Sequence, residues 1–67
     1  MNIAEDLSRE VSRVTRILVH AEELPPQAGG FLTASCRFSL NKAHEAAGSN
    51  DPLAVMAALE DLKSFQE

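Results

Sequence analysis

Cys36, His20 and His44 are the side chains in this sequence with the chemistry of a nucleophile, a base or a metal ligand, and none stands in a pattern that would use it. A catalytic thiol needs a base beside it in an electropositive, partly open setting. Cys36 falls instead on a predicted apolar stripe, where a free cysteine behaves as a small buried hydrophobe. His20 precedes Glu22 and Glu23, and His44 precedes Glu45. Helical bundles that hold metals use Glu-x-x-His on inward-facing positions. Here the order is reversed and both pairs face away from the stripes, so no metal and no cofactor are expected. The paired carboxylates Glu5-Asp6, Glu22-Glu23 and Glu60-Asp61 are adjacent in sequence and so diverge on a helix. General acid–base work needs two groups converging on one atom. Glycine-rich phosphate loops, nucleophile elbows and zinc spacings are absent. The reading is of a protein that is not an enzyme.

A basic strip is the other candidate. Arg9, Arg13, Arg16 and His20 follow one another along one face of the first predicted helix. Glu5 with Arg9 and Glu10 with Arg13 are spaced for ion pairs at i,i+4 and i,i+3, which makes the strip a solvated, internally paired surface. The sharper alternative is a docking strip for an acidic partner or a phosphate. For that role Arg16 is the best placed, since its nearest same-face acid, Glu23, is seven residues away. Interface anchors are often Arg and aromatic residues, which adds Phe31, Phe38 and Phe65 as candidate contacts, although each phenylalanine is expected first as core.

The elements that would position these residues are helices. Ala4, Leu7, Val11, Val14, Leu18 and Ala21 alternate spacings of three and four, and Ile3, Ile17 and Leu24 widen the stripe into a core-facing band. With Asn2 as N-cap, Glu5 as its capping-box partner and Asp6 in the first turn, a helix is predicted from about residue 2 to residue 24. Pro25-Pro26 ends it, and Gln27-Ala28-Gly29-Gly30 is read as a connection. A second helix is predicted over about 31–47, with Leu32, Cys36, Leu40, Ala43 and Ala47 on one stripe and Phe31, Ala34 and Phe38 on another. Gly48 is expected at its C′ position. The alternative start is Pro26, which suits a first turn. It would place Gly29-Gly30 inside the helix and require a close backbone approach to explain them. Asp51-Pro52 opens a third helix over about 52–65, with Val55, Met56, Leu59, Leu62 and Phe65 on one side.

The fold class is therefore all-α: a single small domain over 1–67, one long helix and two shorter ones in up-down order. Below about 70–80 residues one core rarely supplies more than ~3–5 kcal/mol. One cysteine rules out an internal disulfide, so a homodimer or higher oligomer is expected, a twin chain covering what the long first helix cannot hide.

The net charge of −4 divides as −2 over residues 1–24, +1 over 25–50 and −3 over 51–67, so no basic arm is available to neutralise phosphates. A helix-turn-helix reading of the second and third helices would present Pro52-Leu53-Ala54-Val55-Met56 to the bases, and none of these can bond a base edge. No apolar run reaches the ~20 residues of a membrane span, the start lacks a signal-peptide layout, and a lone cysteine fits the cytoplasm. The function expected is non-enzymatic protein–protein interaction, as in the small regulatory or inhibitory proteins of phages and plasmids that bind and modulate a host protein. The alternatives are an oligomeric binder of a small anionic ligand such as a nucleotide, and, third, helix-turn-helix DNA binding.

Overall fold

The computed structural model describes residues 2–66 and consists there of three helices without strands: α1 (Ile3–Glu22), α2 (Pro26–Ser49) and α3 (Pro52–Lys63). Each start has a local cause. Asn2 is extended, and its Oδ1 accepts from the N–H groups of Ala4 (2.9 Å) and Glu5 (3.4 Å). Asp51 is extended as well and accepts from the N–H of Leu53 (3.0 Å), with Pro52 at the first helical position.

The helices lie side by side in a body 37 × 19 × 15 Å. The amino-terminal end of α1 (Ile3, Ala4, Leu7) meets the carboxy-terminal end of α2 (Ala43, His44, Ala47) and Val55 at the start of α3. Farther along, the Arg13 guanidinium reaches the carbonyls of Leu62 and Phe65 at the end of α3. Thus α2 runs antiparallel to α1, and α3 returns beside both, as the up-down order requires.

The core is drawn from all three helices: Leu7, Val14 and Ile17 from α1, Cys36, Leu40, Ala43 and Ala46 from α2, and Ala58, Leu59 and Leu62 from α3. Val11, Leu18, Ala54, Val55 and Phe65 pack around it. The band on α1 is centred between the two lines read from the sequence, because Ile17 is buried whereas Leu18 is only partly so and Ala4 is exposed. On α3, Ala58 takes an inward place and Met56, expected inside, is exposed.

Helix α2 departs most from expectation. It starts at Pro26 rather than near residue 31 and runs 24 residues, longer than the 20 of α1. Only the residues from Glu23 to Pro25 separate it from α1, and the Pro25 carbonyl accepts from Ala28 and Gly29 (both 2.9 Å) to close its first turn. The glycine that argued for a loop is what permits the helix. A Cβ on Gly29 would lie 2.4 Å from the Ala21 carbonyl oxygen and 3.0 Å from the Leu24 Cβ. Gly30 meets nothing within 4 Å. At the other end Gly48 remains helical, and Asn50 takes the left-handed position expected nearby (φ 57°), a conformation asparagine tolerates.

The inner stripe of α2 also shifts. Ala46 and Ser39 are buried, whereas Ala47 is exposed and Leu32 lies at the edge. The second stripe, Phe31, Ala34 and Phe38, faces away from α1 and α3 and is exposed. Leu7, Val14, Ile17 and Ala21 of the first helix find cover within the chain, while Ile3 and Val19 of α1, Phe31 and Phe38 of α2, and Leu53 and Met56 of α3 remain exposed.

The two adjacent glycines should respond oppositely to alanine in urea denaturation. Gly29→Ala should destabilise by about 1–3 kcal/mol, because the new methyl meets backbone that must move. Gly30→Ala, at an open helical position, should stabilise by about 0.4–1 kcal/mol through the unfolded chain.

Candidate functional site

Arg9, Arg13 and Arg16 line one shallow depression along α1, together with Glu5 and Glu10. Arg9 is well exposed and pairs with Asp6 (3.3 Å), the carboxylate within ion-pairing reach of it among the described residues, rather than with Glu5. Arg13 pairs with Glu10 as its spacing predicts (3.0 Å). It also does something no local pattern signals: its two terminal nitrogens donate to the carbonyls of Phe65 (2.7 Å) and Leu62 (2.9 Å). A helix ends in carbonyls without intrahelical partners, and a cation there is favoured by the helix dipole. Arg13 therefore ties the end of α3 to the middle of α1, with Glu10 holding the guanidinium in its plane. The role is structural.

Arg16 and His20 lie farther along, on the wall of a groove of about 370 Å³ that opens where α3 ends. Ile17 and Ala21 form its floor, and Leu24 of the α1–α2 turn and Leu32 of α2 its rim. Helix α3 has 12 residues against the 24 of α2, so it covers only part of the trough between the two longer helices.

The three phenylalanines divide. Phe65 packs against the core. Phe31 and Phe38 do not: they are 87% and 64% exposed, at a spacing of seven, on the side of α2 turned away from the core. The Lys42 ammonium sits over the Phe38 ring, 5.1 Å from its centroid, in cation–π geometry. Leu53 and Met56, the second of which the helical spacing places in the core, form another exposed apolar pair on α3. Arg37 pairs with Glu22 across the α1–α2 groove, a contact between residues 15 apart that no local spacing could show.

Cys36 is fully buried in the core, and burial pushes its thiol above its ordinary value of 9.0. A thiol so placed is protonated and unreachable. No three His, Cys, Asp or Glu side chains gather into a metal-binding group among the described residues. No buried side-chain nitrogen or oxygen among them lacks a hydrogen-bond partner. No helix is long and apolar enough to cross a membrane, again among the described residues. The surface that stands out is therefore apolar: the rings of Phe31 and Phe38 and the groove beside Leu24 and Leu32. Compared with known proteins, the chain matches no family model, no curated protein and no solved structure.

Arg13→Ala should cost about 1.5–3 kcal/mol in chemical denaturation, the range for hydrogen bonds to a charged group. Arg9→Ala, removing an exposed pair, should stay within about 0.5 kcal/mol of the parent. Cys36 should resist a thiol-reactive dye in the native protein and react at once in denaturant. Because the folded state holds that proton more tightly, stability should be unaffected by the thiol well below pH 9 and fall as the pH rises past it, where the unfolded chain ionises first.

Proposed function

We propose that this protein is a non-enzymatic protein–protein interaction module, a small regulatory or inhibitory protein of the kind phages and plasmids use to bind and modulate a host protein. The observation that carries the reading is the placement of Phe31 and Phe38. A chain with three aromatic residues has put two of them in solvent on one face of one helix. Exposed apolar patches of that kind mark interaction sites, and aromatic side chains supply large contact area there. The same chain buries smaller side chains such as Cys36, Ala43 and Ala46, so the phenylalanines are outside because of where the helical period puts them.

The nucleotide-binding alternative rests on the basic strip and has weaker support. Arg9 and Arg13 already hold carboxylates, and Arg13 is occupied by the end of α3 as well. The DNA-binding alternative is weaker still, because the first turns of α3 offer Leu53 and Met56 to solvent, which carry no donor or acceptor for a base edge beyond a thioether.

The test is comparative capture from an extract of the source cells. The immobilised protein should retain a stoichiometric partner, a Phe31→Ser, Phe38→Ser double variant should lose it, and Glu60→Ser should keep it. The double variant should also melt within a few degrees of the parent, since both rings are outside the core. A parent that retains nothing, or a double variant that retains as much, would overturn the reading.

A further inference from the structure

We propose that the groove where α3 ends binds a medium-chain monocarboxylate, with the carboxylate held at Arg16 and His20 and the aliphatic chain laid along Ile17 and Ala21 between Leu24 and Leu32. Neither Phe31 nor Phe38 lines the groove, so this site stands or falls apart from the interaction surface above. Its volume of about 370 Å³ falls in the lower part of the ~300–1,000 Å³ range of small-ligand sites, which join a mainly apolar lining to a few polar groups. The charged group stands on one wall. Arg16 and His20 are four residues apart on α1, so their side chains rise one above the other on the same face. Both are exposed, as is Gln66, which lines the groove from the end of α3. The rim is apolar: Leu24 is 49% exposed and Leu32 37%, so each has surface that a bound chain would cover.

Charge selects the occupant. The chain carries ten acidic residues against six basic, yet no acidic side chain among the described residues lines this groove. The neighbouring depressions differ: Glu5 and Glu10 line the one along α1, and Glu22 the one beside Gly29. The apolar groove at the other end of the bundle, beside Ile3 and Val55, has neither Arg nor Lys among the described residues. A guanidinium has five N–H donors and can serve several acceptors at once, as Arg13 does with Glu10, Leu62 and Phe65. Arg16 can therefore take a ligand carboxylate in addition to its interaction within the chain. The imidazole of His20 adds at least one N–H donor in any protonation state. One guanidinium balances one negative charge, whereas a phosphate monoester carries about −1.5 to −2 and would be left undercompensated. No phenylalanine lines the groove, in a chain without Trp or Tyr, so a nucleotide base would lie on aliphatic side chains. From Arg16 to Ala21 the floor runs about 8 Å along the axis of α1, which sets the chain at medium length.

Titrating octanoate into the isotope-labelled full chain should shift the backbone amide signals of Ala21, Leu24 and Leu32 saturably, with one ligand per chain. Octanol, which has the chain without the charge, should bind at least about tenfold more weakly, and Arg16→Gln should weaken octanoate by a similar factor, the loss expected for hydrogen bonds to a charged group. Arg9→Gln, outside the groove, should leave the affinity unchanged, and so should the Phe31→Ser, Phe38→Ser double variant. Acetate, which has the charge without the chain, should shift nothing at the same concentration. No saturable shift with octanoate would overturn the proposal. Octanol binding as tightly as octanoate would overturn it too, reducing the groove to an apolar surface, and that comparison needs no variant to fold. Inorganic phosphate or AMP shifting the same signals more strongly would give the groove to phosphates and overturn the carboxylate. A double phenylalanine variant that loses a protein partner yet still binds octanoate would support the groove as a site of its own.

Discussion

The missing Cβ at Gly29 is the constraint on which the rest of this structure depends. With hydrogen there, the backbone of α2 passes against the Ala21 carbonyl directly after a turn of three residues. A side chain at that point would collide with backbone, which cannot rotate aside as a flexible side chain can. Because the approach is possible, α2 can begin at Pro26, reach 24 residues and run the full length of the bundle. The groove beside Leu24 and Leu32 follows from that length, because the shorter α3 covers only part of the trough between the two longer helices. Phe31 and Phe38 are in solvent for another reason, since they face away from both other helices.

Arg13 does the complementary work at the other seam. It bridges α1 and α3 by donating to the carbonyl of Leu62 in the last turn of α3, which also accepts from the Phe65 N–H, and to that of Phe65 just past the helix. The two contacts divide the labour. Gly29 sets how closely α2 lies on α1, through the absence of atoms, and Arg13 sets where α3 stops along α1, through directed hydrogen bonds. Between them lies a core of modest side chains, Val14, Cys36 and Leu62 being the largest that are fully enclosed. A core of this size leaves little excess stability. That gives a chain with exposed aromatic side chains a physical reason to associate, although the reason differs from the one the sequence first offered. The middle of the band on α1 is covered by its own chain, whereas Phe31 and Phe38 of α2 and Leu53 and Met56 of α3 remain in solvent.

Much of the architecture was legible in the residues alone because it rests on local rules. The three-four spacing from Ala4 to Ala21, the Asn2 cap, the Pro25-Pro26 stop and the Asp51-Pro52 start each act within a few residues, so helix number, order and type could be read without any tertiary knowledge. The site was less legible. Phe31 and Phe38 were correctly placed together on a stripe separate from that of Cys36 and Leu40, but nothing local says whether a second stripe meets a neighbour or water. The ion pair of Glu10 with Arg13 could be read from spacing, whereas the reach of Arg13 to residues 49 and 52 positions away could not.

By itself, then, the chain's order of residues determined an all-helical, three-element body with Cys36 inside and its caps in place, since these follow from backbone sterics, short-range hydrogen bonds and the period of apolar side chains. Only the packed structure decided where α2 begins, which helix is longest and which aromatic rings stay wet. Those outcomes depend on distances between segments far apart in the chain. The pair Gly29-Gly30 looks like a loop until the Ala21 carbonyl is seen beside the first of them.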